Sequence, residues 1–592
     1  MAINSDLEKG LDRDNETDQS PTLDENFGKE PPEPSQFSQS LPNEPDNKQS
    51  KSKALAQTWN KHGRLITHLF LVILLLGWWI SGLILPQTRH KWVITTFWTW
   101  FLLIIIFNCW LPSKLLTQPI SKIWKKLIMK PLGRLGRWLK ILLCSCCLVG
   151  LMAGIAFGTP LSAGTSYVDR AISLCGICVF QFGFWITSRN RSLIKWRIVI
   201  VGLILQQILA LIILKTKSGY DVFNWVANLT TDFLSQGTRA GGFFFSEEVV
   251  QKNWFFVNTL SAIIFFVACV ELLYYTGLMQ VILLKIAWIF FKIMGVSGAE
   301  AVVAASSPFV GMAESVLLVK PFVNYMTLAE LHQSMASGFA TIAGSALSAY
   351  VQIGMPAVYL ISASAMSIPA SLAMSKLRWP EEEQPVTKKN LEIPPQELNH
   401  KDTNAMQAFS NGAWLGLKVA GMIMTNVLTV LGLLYTIDGL MTWIGQFWGL
   451  DPLGQNPLTM ELILQYLLWP VAFLMGVSRG DVLKVSKLLG IKAISNEFVA
   501  YKELSRMKPM MSERSFIIST YSLCGFANMG SLGIQIGVMA SIAPKRRQDI
   551  TRVAISSLIC GFFSTIQTAG NSTFLLFQSP CNKTTLQNGS QS

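Results

Sequence analysis

Long apolar windows without formal charge constrain this chain more than any other feature of its sequence. The windows 65–85 and 92–111 each have about 20 such residues, which is the length that crosses the hydrocarbon core of a bilayer as a helix. Only 14% of the residues are charged, whereas soluble domains have roughly a quarter. Similar apolar windows recur at 141–160, 171–187, 198–214, 254–275, 338–374, 413–435, 516–543 and 553–577. The chain is therefore predicted to be an all-α polytopic membrane protein.

The net charge of +14 comes largely from short basic loops between these windows. Residues 112–140 contain eight basic side chains and no acid, and basic clusters recur at 188–197 and after 543. Short basic loops remain on the cytoplasmic side of a membrane, so the charge indicates topology and not nucleic-acid binding. With a cytoplasmic amino terminus and eleven crossings, the carboxyl terminus is expected outside the cell. A cleaved signal peptide is not expected, because the first apolar window begins so late.

The predicted extracellular end carries three sequons, which indicate a glycoprotein. The acceptor candidates are Asn571, Asn582 and Asn588. The ten cysteines show no spacing typical of a metal site or a disulfide framework.

Composition divides the chain into six parts. Residues 1–64 are predicted to be a disordered acidic cytosolic tail, because the first 50 are polar, contain proline and have no apolar periodicity. Three transmembrane helices are expected in 65–160, followed by the first part of a core in 171–377. A charged cytosolic linker, 378–404, precedes the second part, 405–577, and an extracellular tail, 578–592.

The two core parts share landmarks in the same order. MGVS occurs at 294–297 and again at 475–478; a lone acid follows each, Glu314 and then Glu497. GFAT (338–341) completes the first series and GFAN (525–528) the second. An internal repeat whose hydrophobic segments are interrupted at corresponding places is typical of the binding site of a secondary transporter.

The segment 297–322 is too interrupted to be a plain span. Pro308 lacks an N–H and Gly311 weakens a helix, so we predict a re-entrant hairpin here and a second one at about 482–508. Glu314 would lie near the first tip, where a carboxylate costs a few kcal/mol unless it is solvated, paired or protonated. The alternative is an interfacial glutamate at the hairpin base. Glu497 follows the same logic, with Lys492 and Lys502 as possible surface partners.

Five stretches resemble the concentrative nucleoside transporters of solute carrier family 28, and the three leading spans resemble the family's eukaryotic branch. The stretches are GVSGAEAVVAASSPFVGMAESVLLVKPF, MASGFATIAGSALSAY, SASAMSIPASLAMSKL, GIKAISNEFVAYKELS and LCGFANMGSLGIQIG. The resemblance implies an inverted-repeat core with two re-entrant hairpins and elevator-type alternating access. It also implies a plasma-membrane homotrimer in the lipid bilayer that imports nucleosides and uses no cofactor.

The resemblance also implies a nucleoside site between the hairpin tips and a broken helix. In the first hairpin Gly311-Met312-Ala313-Glu314 stands where the family has Gly-Gln-Thr-Glu; methionine at the second place is found among purine-preferring relatives. An apolar side chain there leaves fewer hydrogen bonds to the base edge. The set resembling the ribose contacts is Glu497, Asn528 and Ser531, and Phe526 would pack against the ligand.

The coupling ion follows from the same resemblance. The matching positions are Ser307, Val310, Thr341 and Ile342, which offer hydroxyl and carbonyl oxygens to a hard cation. Ser307 replaces the family's asparagine, and some proton-coupled relatives also have serine there. Sodium is the favoured ion and the proton is the alternative.

Two other interpretations of the sequence stay open at this stage. Glu314 and Glu497 would form a catalytic pair in an intramembrane lipid enzyme, although the five histidines lie away from both motifs. Alternatively, Met312 and Ala313 would mark a divergent paralogue that keeps the fold without transporting.

Overall fold

The computed structural model describes residues 69–85, 95–96, 98–100, 102–103, 136–158, 166–251, 255–387, 403–450 and 457–575. Within these ranges every regular element is a helix. The chain forms two compact units, Met1–Gly133 and Arg134–Ser592. The predicted tails 1–64 and 578–592 lie outside the described residues.

The first unit contains helix α1 (Leu69–Ile84). The Trp79 indole N–H donates a hydrogen bond of 2.9 Å to Thr96 Oγ1, and its ring meets Trp100 edge-on at 6.1 Å. These contacts join residues of the first two predicted spans, and they give the partly buried indole a partner for its N–H.

The second unit contains the remaining helices. Before the linker they are α2 (Arg137–Gly158), α3 (Tyr167–Ile186), α4 (Trp196–Lys215), α5 (Lys217–Phe245), α6 (Glu247–Gln251), α7 (Phe255–Tyr275), α8 (Leu278–Ile293), α9 (Gly298–Val310), α10 (Met312–Leu317), α11 (Lys320–Val323), α12 (Leu328–Ala340), α13 (Gly344–Gln352) and α14 (Ala357–Arg378). After it they are α15 (Ala405–Phe447), α16 (Met460–Leu467), α17 (Trp469–Leu474), α18 (Val482–Ile494), α19 (Glu497–Met507), α20 (Glu513–Leu523), α21 (Met529–Ile542) and α22 (Arg547–Leu575).

Five helical segments of the described residues are long and apolar enough to cross a membrane, or six if the bent pair α7–α8 counts as one span. The five are α3, α4, α14, Val427–Phe447 within α15, and Pro544–Thr573, which includes most of α22. This supports the prediction of a multi-pass helical membrane protein.

Two of the apolar windows are divided between several helices. The window 338–374 is divided between α12, α13 and α14, and 516–543 is divided between α20 and α21. Hydropathy averages over the breaks at 341–343 and 524–528, because small and apolar residues occupy them as well.

The centre of the second unit is the packing of α22 against α12, α14 and α20. A Cβ added at Gly561 of α22 would lie 2.4 Å from Phe339 Cβ of α12. Small residues allow such close approach of helices in an apolar environment.

The two halves of the core follow the same order of elements. Both MGVS motifs end a helix with a left-handed glycine, Gly295 at φ +76° and Gly476 at φ +77°. The helices α9, α10, α12, α13 and α14 correspond in order to α18, α19, α20, α21 and α22. This order agrees with the internal repeat predicted from the motifs.

The first residues of the predicted linker pack against the core. Lys376 Nζ of α14 lies 2.5 Å from Glu300 Oε1 and 2.9 Å from Glu381 Oε2. Thr387 accepts a hydrogen bond of 3.0 Å at its carbonyl from the N–H of Gly298. Residues 379–387 therefore belong to the folded unit, and 388–402 lie outside the described residues.

Candidate functional site

Glu497 begins helix α19, directly after the break that follows α18. The Asn496 side chain caps this helix by accepting a hydrogen bond of 2.9 Å from the N–H of Val499. Glu497 is only 2% exposed. A carboxylate in the first turn of a helix is stabilised by the partial positive charge of the unpaired N–H groups.

Both carboxylate oxygens of Glu497 accept hydrogen bonds from other elements. The Tyr350 hydroxyl of α13 donates to Oε1 at 3.0 Å, and Asn528 Nδ2 donates to Oε2 at 2.7 Å. The Tyr350 ring packs between the rings of Phe498 and Tyr501, at centroid distances of 4.7 and 4.8 Å. The carboxylate is thus held by both halves of the core.

Asn528 is oriented by its role as the N-cap of α21. Its Oδ1 accepts a hydrogen bond of 2.8 Å from the N–H of Ser531, which leaves Nδ2 to face Glu497. Ser531 is itself buried in the first turn of α21. The predicted set of Glu497, Asn528 and Ser531 is therefore brought together by two helix N-termini.

This arrangement leaves the carboxylate able to accept further hydrogen bonds. An ionised carboxylate offers about four lone-pair sites, and Tyr350 and Asn528 occupy two of them. Two neighbouring hydroxyl groups of a ligand could donate to the rest. The chemistry of the site suits a neutral diol.

The breaks after α12 and α20 lie side by side. The N–H of Phe526 donates to the Thr341 carbonyl at 3.3 Å. A Cβ added at Gly525 would lie 2.8 Å from the Phe339 carbonyl oxygen. The GFAT and GFAN motifs therefore contact each other. The half-buried Phe526 precedes Asn528, the partner of Glu497, by two residues.

The predicted first hairpin is interrupted at Gly311, whose φ of +111° favours glycine. Met312 is buried against α12, since a Cβ added at Gly338 would lie 2.8 Å from Met312 Cβ. Helix α10 also packs against α21. The side chains of Ala313 and Glu314 lie outside the described part of the structure, and so does the distance from Glu314 to Glu497.

The predicted ion residues lie on two adjoining segments. The Ser307 hydroxyl donates to the Val303 carbonyl at 2.7 Å and to Ser315 Oγ at 3.3 Å. The Thr341 hydroxyl donates to the Ser337 carbonyl at 3.1 Å. These hydroxyl oxygens keep lone pairs with which they can bind a cation.

Close packing at a glycine places the end of α9 next to the start of α13, which follows the break that contains Thr341 and Ile342. A Cβ added at Gly344 would lie 2.9 Å from the Phe309 carbonyl oxygen, next to the predicted carbonyl ligand Val310. The N–H of Ile342 donates to Ser364 Oγ at 3.4 Å, so its carbonyl is the group it can offer. Hard cations are bound by such sets of hydroxyl and carbonyl oxygens.

Two residues near Glu497 were not predicted in their observed roles. Tyr350 ends the stretch MASGFATIAGSALSAY, and nothing in its spacing indicated a contact with α19. Lys492, which the sequence suggested as a surface partner, is fully buried, whereas Lys502 is exposed. Helical spacing cannot separate a buried lysine from an exposed one when its neighbours are apolar on several sides.

Asn571 is buried within α22, where Gln207 Nε2 donates to its Oδ1 at 2.8 Å. This burial contradicts the prediction of Asn571 as a glycan acceptor, because an attached glycan needs a surface position. Asn582 and Asn588 lie outside the described residues.

A cavity of about 400 Å³ lies between α5, α6, α7 and the end of α13. It is lined mainly by polar side chains, including Thr238, Arg239 and Glu247, and by no predicted site residue. The buried hydrogen-bonded cluster of Glu497, Tyr350 and Asn528 therefore does not line this cavity.

Replacing Tyr350 with phenylalanine removes one of the two donors to Glu497 and keeps the ring packing. We expect ligand affinity to fall about tenfold, because the carboxylate loses one of the two donors that fix its orientation. Binding of a labelled probe that carries a vicinal diol to the purified variant measures this. The control is Tyr435→Phe on the exposed face of α15, and equal affinity of Tyr350→Phe and wild type would contradict the expectation.

Comparison with protein families identifies three matching segments. Residues 175–248 match the model described as Na+ dependent nucleoside transporter N-terminus, 256–357 match Nucleoside recognition, and 359–572 match Na+ dependent nucleoside transporter C-terminus. Together they include every described residue of the candidate site.

Curated relatives share more than a third of the aligned residues. The chain is 38% identical to Solute carrier family 28 member 3 of Eptatretus stoutii over 71% of its length and 62% of that protein. It is 38% identical to Sodium/nucleoside cotransporter 1 of Rattus norvegicus over 74% of its length and 67% of that protein. The human Solute carrier family 28 member 3 is 37% identical over 73% of this chain and 63% of that protein.

Solved structures show the same fold. A variant of CNTnw in an outward-facing state superposes with a TM-score of 0.65 at 31% identity, covering 69% of this chain and 99% of that chain. CNTnw in an inward-facing substrate-bound state gives 0.63 at 31% identity, covering 69% and 98%.

Proposed function

Because the chain belongs to the concentrative nucleoside transporter family, we propose that it is a cation-coupled symporter that imports nucleosides across the plasma membrane. The observation that carries the proposal is the buried carboxylate of Glu497, bound by Tyr350 and Asn528 between two helix N-termini. Relatives of this chain are named sodium/nucleoside cotransporters and not enzymes. The intramembrane-enzyme alternative therefore has no support from the family.

The ribose is the part of the nucleoside that this cluster suits. Its hydroxyls would donate to the free lone pairs of Glu497, and the Ser531 hydroxyl lies on the same helix end as Asn528. The base would lie towards Gly311, Met312 and Glu314. The buried Met312 side chain offers van der Waals contact in place of hydrogen bonds, so discrimination between bases would depend on Glu314 and on shape.

The coupling cation would bind between the first hairpin and the break after α12. Ser307 and Thr341 would supply hydroxyls, and Val310 and Ile342 would supply carbonyls. Sodium is favoured because all four donors are neutral oxygens, as hard cations prefer, while the proton remains the second candidate because serine replaces the family's asparagine. Ion binding would order the hairpin before the nucleoside is bound.

Transport would follow an elevator mechanism in a homotrimer. The segments 297–322 and about 482–508 would be re-entrant hairpins that move with the broken helices, while α7 and α15, which pack together, would remain as scaffold. The amino terminus would be cytoplasmic and the carboxyl terminus extracellular. Three amino-terminal helices would precede this core.

One uptake experiment tests the proposal and selects the ion. Cells that express the chain are given radiolabelled uridine or adenosine, with sodium either present or replaced by choline, at two pH values. Sodium coupling predicts that choline abolishes uptake at both pH values. Uptake that persists in choline and rises at acidic pH would indicate the proton, and no uptake under any condition would support a divergent paralogue that does not transport.

The Thr341 hydroxyl allows a specific test of the ion site. We expect Thr341→Val to raise the sodium concentration for half-maximal uptake about tenfold, because one hydroxyl ligand is lost with little change in volume. The matched control is Thr436→Val, whose hydroxyl makes the same type of bond to a carbonyl four residues earlier, but on an exposed face of α15. Equal sodium dependence in both variants would remove Thr341 from the site.

A further inference from the structure

Lys492 is a buried charge that the proposed binding mechanism does not use. Its side chain, on α18, is fully buried in the described part of the protein. Lysine is almost never fully buried unless it is paired, and a charge inside a membrane protein is costly and commonly functional. Its position five residues before Glu497 therefore requires an explanation.

The Lys492 ammonium group is bound by uncharged oxygens. Nζ donates to the Ser522 carbonyl at 2.7 Å and to Thr565 Oγ1 at 3.0 Å, and it lies 5.3 Å from the centroid of the Phe562 ring. Two hydrogen bonds and an aromatic face offset part of the desolvation of the charge. The lysine thereby joins α18 to α20 and α22.

Ser522 is in the last turn of α20, just before the break that leads to Asn528. The last carbonyls of a helix lack partners within the helix, and a cation is favourable there. At the other end of the same break, Asn528 holds Glu497. Two buried side chains of opposite formal charge, Lys492 and Glu497, are thus bound near the two ends of one break.

We infer that Lys492 is the resident cation of the nucleoside site, which balances the charge of Glu497 and positions the break between α20 and α21. Its role in nucleoside binding rests on the proposed function, whereas the charge balance does not. Lys492 is a positioning residue, because its hydrogen bonds go to the protein and not to the ligand.

The equivalent elements of the first half of the core provide a comparison for Lys492. There, the predicted ion residues lie between the end of α9 and the break after α12. In the second half, Lys492 lies between the end of α18 and the end of α20, on a carbonyl and a hydroxyl oxygen. If the first half binds a cation as proposed, the second half carries a covalently attached cation between the corresponding elements.

A double-mutant cycle on the purified full-length protein tests the charge balance. Lys492→Met and Glu497→Gln each leave one buried charge without its counterpart, and we expect each to lower the melting temperature. The double variant removes both charges, so its melting temperature should lie well above the value given by adding the two single shifts. Additive shifts would overturn the inference. If Lys492→Met alone does not fold, the inference requires the double variant to regain a folded state, and continued unfolding would overturn it.

Nucleoside binding and uptake test the functional part. Lys492→Met should weaken nucleoside affinity by at least about tenfold, as expected when a buried pair is broken, and Lys492→Arg should retain part of it because the charge is kept. The control is Lys487→Met, a partly exposed residue of the same helix in ion pairs of 3.8 and 3.9 Å with Glu503 and Glu461. Wild-type affinity in Lys492→Met would overturn the positioning role.

These readouts separate the inference from the proposed function. If the wild-type chain takes up nucleosides and the cycle is additive, the proposed function stands and the inference fails. If the wild-type chain neither binds nor transports nucleosides, the proposed function fails, and the melting temperatures still decide the charge balance.

Discussion

Uptake of radiolabelled nucleoside by the Glu497→Gln variant is expected to fall at least about hundredfold, with the protein still present at the cell surface. Glutamine keeps the size of the side chain but loses the charge and one acceptor oxygen. Hydrogen bonds to a charged group contribute roughly 1.5–3 kcal/mol each, and two such bonds to ligand hydroxyls account for this loss. The amide also cannot accept from both Tyr350 and Asn528, which donate to the two carboxylate oxygens.

Glu503→Gln is the matched control for this experiment. Glu503 lies on the same helix α19 but is partly exposed, and it forms surface ion pairs with Lys487 and Arg506. Such pairs contribute little, so uptake should remain near the wild-type value. Near-normal transport by Glu497→Gln, measured at equal surface expression, would refute the assignment of the ribose site.

Gly525→Val is expected to abolish transport by forcing the two breaks apart. A Cβ at this position would lie 2.8 Å from the Phe339 carbonyl oxygen and 2.8 Å from the Thr565 side chain. Neither the backbone of α12 nor a buried residue of α22 can move freely, and overpacking of this kind costs about 1–3 kcal/mol. The shift would disrupt the hydrogen bond from Phe526 to Thr341, which joins the proposed ion site to the proposed nucleoside site.

The comparison for Gly525 is Gly533→Val in α21. An added Cβ at Gly533 meets nothing within 4 Å in the described structure, so the same substitution there should change uptake much less. Uptake and the melting temperature of the purified variants measure both effects. A Gly525→Val protein that transports as well as Gly533→Val would show that the two breaks do not need this close contact.

The resemblance to a family singled out Glu497, Asn528 and Ser531, and the structure places them close together at the starts of two helices. Helix N-termini are recognisable from capping residues and apolar runs, which act locally. Tyr350 was missed because its partner is 147 residues away. Lys492 was misjudged because its burial depends on α20 and α22, which are distant in sequence.

Hydropathy alone did not locate the ends of the individual helices. The breaks in the windows 338–374 and 516–543 contain mostly small or apolar residues, so hydropathy alone did not locate these interruptions. The sequon at Asn571 does not indicate that this residue is buried. In the fold, Asn571 Oδ1 accepts a hydrogen bond from Gln207 Nε2. Local composition reports how apolar a segment is, but not where its backbone hydrogen bonds stop.

The order and chemistry of the residues were enough to establish a helical membrane protein, its family motifs and the carboxylate at the start of α19. These properties depend on length, hydropathy and capping, which act within one turn or one span. The pairing of Glu497 with Tyr350, the burial of Lys492 and the meeting of the two breaks emerged only once the helices were packed. The physical reason is that each arises from the close approach of helices that are distant in the sequence, which local sequence does not encode.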